Sequence, residues 1–251
     1  MSEAIPGLLA PAWGSAGRVR VISTTRVGGL GRGAFSTLNL GARGRDDTAT
    51  IDANRARLSA ALGLDRDPGW LRQVHGTTVV GLDGSLSAPP EADAAWTATP
   101  GFACAVLTAD CLPVAIVDPD GASVAVAHAG WRGLAAGILE ATVDALPVSP
   151  ERLRVWLGPA IGPDAFEVGP EVRDSMLAGD PAAAPAFRPG RGDRWHADLY
   201  VLARRRLRRA GVGRIDGGGH CTFHESARFF SHRRDGPATG RMATLAWIAP
   251  S

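Results

Sequence analysis

His75, Cys111 and His128 are the residues whose types could do chemistry together. Imidazole nitrogen and thiolate sulfur suit a borderline-soft, tetrahedral ion such as Zn²⁺. Three protein ligands would leave the fourth position to water or substrate, as in a catalytic rather than a structural site. They lie in RQVHG (72–76), TADCLP (108–113) and AHAGWRG (127–133), each beside small or turn-forming residues. Spacing alone leaves a second reading open, in which the three have separate core or hydrogen-bonded roles. None of the close ligand pairs of a zinc finger or zincin is present.

Their neighbours carry further candidates. Asp110 is placed to handle protons, orient a ligand or cap the turn before Leu112-Pro113. Gln73 shares a face with His75 if that segment is extended, as a substrate contact or a structural hydrogen-bonder. Arg132 follows the strand of His128 and opens a helix, where backbone N–H groups favour anions. Arg26, in the Gly-rich TTRVGG, marks a second anion cradle or a plain turn. Cys111 with His128 or His75 as base would also suit a thiolate nucleophile. His220, Cys221 and His224 in GHCTFHE could hold an adventitious metal, with a loop or core role as the plainer reading. Cys104, in an apolar run, reads as a buried thiol.

Elements must bring these residues together. VRVIST (19–24) alternates as a strand and leads into a Gly-rich loop. Asp46, Asp47 and Thr48 are N-cap candidates for a helix ending near Gly63. Apolar β-branched runs near 78–82 and 102–107 predict strands, and LPVAIVD and ASVAVAHA around DPDG predict a hairpin at 112–128. His75 then precedes a strand, Cys111 follows one and His128 ends one, so all three face loops from rigid supports. Residues 133–146 predict a helix stopped by Pro147. RLRVWLG reads as a strand, EVRDSML and ADLYVLARRRLRRAGV as helices, and RIDGG, ARFFSH and MATLAWIA as closing strands. The Pro/Gly/Ala-rich stretch 178–194 is expected to be a mobile loop. The order predicts one α/β domain with a mixed sheet and helices on its outer faces.

Composition narrows the class. The chain has 251 residues, 45% hydrophobic and 21% charged, with a net charge of +2, as expected of a soluble globular protein. All 27 basic residues are Arg, which excludes Schiff-base chemistry on lysine. The N-terminal stretch has neither a basic start nor a sustained apolar run, and no segment approaches a membrane span. Three scattered cysteines argue for reduced thiols, so a cytoplasmic location is expected. The basic run RRRLRRA (204–210) spreads around a helix beside Leu202 and Leu207 and reads as a solvated face, so no nucleic-acid partner is expected.

STTRVGG, FSTLNLG, QVHG, ADA, TADCLPVAI, AHAGWRGLAAG, WLGPAIGPDAFEVG and FFSHRRD…TGRMA occur in order over about residues 18–248. Together they resemble the polyphenol-oxidase or laccase-domain family, described also as zinc-dependent purine nucleoside phosphorylases. The resemblance implies a single-domain α/β/β/α sandwich (1–251) and zinc on His75, Cys111 and His128. It implies phosphorolysis of adenosine, inosine and methylthioadenosine, with adenosine deamination. Its partners would be purine nucleosides and phosphate, in a monomer or small homo-oligomer. Cys111, Asp110 and Arg132 are then expected to be catalytic, and Arg26, Asn39, Gln73, Arg233 and Arg241 to bind substrate. Trp131 is the candidate for stacking on a purine. His232 departs from the family, which commonly has Tyr there. Two rival readings stand beside this one. The first is a cysteine- or metal-dependent hydrolase editing peptidoglycan precursors. The second is a copper polyphenol oxidase, since copper competes with zinc for N/S ligands. Six histidines without a His-x-His pair argue against several copper centres.

Overall fold

The computed structural model describes residues 5–14, 17–42, 46–84 and 86–250. Residues 1–4, which open the N-terminal stretch read for a leader, lie outside the described residues. Two sheets face one another. In the first, β1 (Val19–Ser23) and β4 (Ala103–Thr108) flank β12 (Met242–Ile248), all antiparallel. The second has six strands in the order β11 (Arg214–Gly217), β7 (Arg154–Leu157), β5 (Leu112–Val117), β6 (Val124–Ala129), β3 (Ala94–Thr97) and β2 (Val79–Gly81). Its outer pairs, β11 with β7 and β2 with β3, are parallel and its centre is antiparallel. A third, small sheet joins β8 (Glu167–Val168), β10 (Trp195–Ala197) and β9 (Phe187–Pro189).

Period-two alternation explains the layering, because successive side chains leave a strand on opposite faces. In β6, Val124 and Val126 enter the layer between the sheets, while Ala125, Ala127 and Ala129 enter the layer under the helices. In β4, Cys104 and Val106 face inward, and Ala103 and Ala105 pack outward under α1 (Thr48–Leu62). The other outer layer holds α2 (Trp131–Ala136), α3 (Ile138–Ala145), α4 (Pro170–Gly179) and α5 (Leu199–Arg209). A last short helix, α6 (His232–Asp235), lies before β12. The result is the expected mixed α/β sandwich, with helices outside two sheets.

Local chemistry sets the boundaries. Asp47 caps α1 by accepting from the Thr50 N–H at 3.0 Å, and Gly63 ends it at φ 65°. The predicted helix over 133–146 is two helices, because Gly137 sits at φ 102° between α2 and α3. ARFFSH is not a strand. Phe229 and Phe230 are buried there, and the Ser231 hydroxyl accepts from Arg234 N–H to start α6. The 178–194 stretch finishes α4, forms a short 3₁₀ helix (Pro181–Ala186) that runs into β9, and then turns, instead of being one open loop. The 204–210 run is a solvated face only at Arg208 and Arg209. Arg204 donates to the carbonyls of Ile215 and Gly217, Arg205 pairs with Asp180, and Arg206 with Glu140 at 2.8 Å. Among the described residues, no helix is long and apolar enough to cross a membrane.

Candidate metal centre and cavity

The alternation that fills the inter-sheet layer also builds the site. His128 follows Val124 and Val126 on the same face of β6 and closes the end of that layer. Cys111 immediately precedes β5, and Pro113 of that strand pairs with His128. His75 arrives on the segment between α1 and β2, at a left-handed φ of 64°. The Cys111 Sγ lies 3.9 Å from the Nε2 of His75, and the two imidazoles stand edge to face with centroids 4.7 Å apart. One ligating atom from each residue falls within 4.8 Å of the others. Separations of about 3.5 Å are needed around a tetrahedral ion with bonds of about 2.0–2.3 Å, so small side-chain movements suffice. Gly130 keeps the space open, since a Cβ there would stand 2.8 Å from the His75 ring and 3.2 Å from the Cys111 sulfur.

Asp93, between β2 and β3, is the residue that sequence reasoning left without a role. It is fully buried, and its Oδ1 meets the His128 Nδ1 at 2.8 Å. The backbone N–H groups of Val74, His75 and Gly76 donate to the same carboxylate. Burial opposes its charge, but His128 and these N–H groups outweigh that and hold its pKa below the usual carboxylate value. A signal existed: an acid set among alanines at the entry to an apolar strand must find buried partners.

The charges on Cys111 and His128 favour one another. Burial pushes the Cys111 thiol up, yet His128 and then His75 outweigh it and bring the pKa down to about 6. Burial pushes His128 down, while Cys111 and Asp93 raise it to about 9. Both shifts favour the thiolate–imidazolium form of the pair without metal. By contrast, burial alone pushes the Cys104 thiol up, as expected for an inert core cysteine.

His75, Cys111 and His128 open on a cavity of about 650 Å³, within the usual size range for small-molecule sites. Arg55, Arg72, Arg132, Arg233 and Arg241 line it, with Asp110 as its only carboxylate among the described residues. Apolar walls come from Trp131, Ile161, Phe166 and Leu199. Arg132 stacks on Trp131 at 4.3 Å, and Arg233 bonds the Glu167 carbonyl and lies over Phe166. Arg241 donates to the Thr239 and Gly240 carbonyls.

Four expected site residues have their polar groups engaged by the protein itself. Asp110 lines the cavity with its carboxylate already engaged. Its oxygens accept from Thr222 Oγ1, Ser231 Oγ and the Arg233 N–H at 2.6–3.0 Å, so it latches α6 to the start of β5. Asn39 is fully buried and outside the cavity, bonded to Gly41, Asp46 and the Arg241 N–H. Its Oδ1 ties it to the backbone of Arg241, which does line the cavity. Arg26 is also outside, stacked on Phe230 and bonded to the Ser36 and Ser226 carbonyls, so no anion cradle forms there. Gln73 lines the cavity, but both ends of its amide pair with the Leu107 backbone at 2.8–2.9 Å. The His220–Cys221–His224 run lies on a separate cleft, where Glu225 engages His220.

The family model for multi-copper polyphenol oxidoreductase laccase matches residues 20–249. A purine nucleoside phosphorylase of Pseudomonas aeruginosa is 53% identical over 96% of this chain and 98% of its own. The purine nucleoside phosphorylase YfiH of Escherichia coli is 49% identical over the same shares. A crystal structure of a Neisseria meningitidis protein superposes with a TM-score of 0.92 at 46% identity, covering 97% of this chain and 99% of that one. YlmD of Geobacillus stearothermophilus gives 0.92 at 33% identity, covering 100% and 98%. The chain therefore belongs to the laccase-like polyphenol oxidoreductase family, and the Pseudomonas and Escherichia relatives are each named a purine nucleoside phosphorylase.

Proposed function

We propose that the protein is a zinc-dependent purine nucleoside phosphorylase acting on adenosine, inosine and methylthioadenosine, with adenosine deamination at the same centre. The observation that carries this reading is a His–Cys–His group facing a cavity rimmed by arginines, in a chain 53% identical to a protein so named. Phosphate attack at the anomeric carbon forms a C–O bond as the C–N bond to the purine breaks. The electron pair leaves on the base, which must gain a proton. Arg132, Arg233 and Arg241 supply forked donors for phosphate. Their charge also favours an attacking anion that would otherwise be repelled on entry to a low-dielectric site. The walls at Trp131, Ile161 and Phe166 bury the planar base and exclude water. Zinc held by His75, Cys111 and His128 would supply Lewis-acid polarisation of a substrate atom or a water molecule. His232, on the cavity wall, is the histidine there that is not a proposed ligand, and it is the candidate for exchanging the proton.

The test is chromatography of products from each nucleoside, with and without phosphate and with and without chelator. Inosine should yield hypoxanthine and ribose 1-phosphate only with phosphate and metal present, and adenosine should yield inosine without phosphate. Phosphorolysis that survives a strong chelator would overturn the zinc reading.

A cysteine hydrolase draws support from one observation, the Cys111 thiol held at about 6 beside His128. Activity that resists chelation but is lost to thiol alkylation would favour it. For a copper oxidase the donors are too few. Among the described residues only one group of three His, Cys or carboxylate ligands is close enough to hold a metal.

A further inference from the structure

We infer that Asp93 is the positioning residue that assembles this metal site, using one carboxylate to orient two of its three ligands; the inference rests on the zinc reading above. A buried carboxylate persists only where its lone pairs are taken. The four donors around Asp93 all belong to the ligand-bearing segments. They are the N–H groups of Val74, His75 and Gly76 at 3.1, 2.9 and 2.7 Å, and the His128 ring at 2.8 Å.

Two consequences follow from that geometry. Three successive N–H groups converge on one anion because His75 sits at φ 64°, a conformation a non-glycine residue seldom adopts. The carboxylate holds that turn, and the turn aims the His75 ring at Cys111. On the other side, Asp93 accepts from Nδ1 of His128, which holds that proton in place and makes Nε2 the nitrogen that gives up its proton to the ion. The backbone adds a further tie, since the His128 N–H donates to the Asp93 carbonyl at 2.7 Å. Asp93 therefore selects the tautomer of one ligand and the backbone conformation of another. An asparagine could not replace it, because an amide offers one acceptor oxygen to four donors and turns its own NH₂ toward at least one of them.

The experiment is zinc competition against a chromophoric chelator for the wild type and Asp93→Asn, alongside melting curves of both metal-free proteins. Asp93→Asn should bind zinc about 10–100-fold more weakly. A lower Tm with unchanged zinc affinity would make Asp93 a structural tie only and overturn the inference. A second measurement does not depend on the variant folding. In ¹⁵N spectra of the zinc-loaded wild type, His128 should carry a proton on Nδ1 and metal on Nε2. Metal on Nδ1 would sink the inference. A wild type that takes up no zinc overturns the zinc reading, and the inference with it. A wild type and variant that bind equally tightly overturn the inference alone.

Discussion

Three residues of ordinary chemistry become a site because each is held by something else. His128 and His75 favour the thiolate form of Cys111, and Cys111 and Asp93 favour the protonated form of His128. Zinc binds thiolate and neutral imidazole. Between about pH 6 and 9 the metal-free pair already holds the thiolate, and only the imidazolium proton must leave. Calorimetry in buffers of different ionisation enthalpy should therefore register about one proton released from this pair per zinc at pH 7.5. The number should rise toward two as pH falls below 6, where the thiol is protonated, and toward zero above 9, where His128 is already neutral. A release independent of pH would contradict the charge assignment. Cys111→Ala should remove metal binding and phosphorolysis while leaving a folded protein, since it deletes one sulfur from a half-buried position. Metal analysis and circular dichroism check the two halves of that statement.

At the scale of elements, the cavity is closed by parts distant in sequence. Asp110 at the β4–β5 turn latches the residues entering α6, more than a hundred positions later, and so brings His232 and Arg233 to the cavity wall. Asp110→Ala would leave the Thr222 and Ser231 hydroxyls and the Arg233 N–H without their acceptor. Chemical denaturation should report a loss of about 3 kcal/mol, from the cost of such unsatisfied groups. Steady-state kinetics should show a higher KM for phosphate with zinc retained, because Arg233 loses its anchor while His75, Cys111 and His128 are untouched. A pure loss of zinc with KM unchanged would return Asp110 to the metal's surroundings.

Across the whole molecule, the site ties together the segment before β2, the start of β5 and the end of β6, so bound metal should stabilise the fold itself. Zinc at a hundredfold excess over its Kd should add about 2.7 kcal/mol, which corresponds to a rise of about 5–10 °C in Tm for a chain of this size. Scanning calorimetry with zinc and then with chelator measures it, and an unchanged Tm would mean that the ligands do not close on an ion. The α5 arginines show the same tying at longer range. Arg206 is almost wholly buried, bonded to Glu140 and to the Ala135 carbonyl, so this basic run binds the helices to one another.

Local pattern determined much of this protein. The hairpin of β5 and β6, the cap at Asp47, the stop at Gly63 and the strand at 242–248 follow from alternation and turn chemistry, which act between near neighbours. His75, Cys111 and His128 were legible as a possible ligand set because their types suit one ion and their motifs resemble a family's. What spacing could not decide was tertiary. β3 is hidden in an alanine-rich run, and the break at Gly137 lies inside an apparently continuous helical pattern. ARFFSH reads as a strand yet supplies buried phenylalanines and a helix cap. Asp110, Asn39 and Arg26 look like ligand-binding groups until their polar atoms are traced to partners far along the chain. The same long-range pairing hid Asp93, since a carboxylate among alanines acquires its meaning only when the sheet brings it against His128 and the turn at His75. A side chain's type is a property of the chain, but whether its lone pairs are free for chemistry depends on which distant donors the fold brings to them.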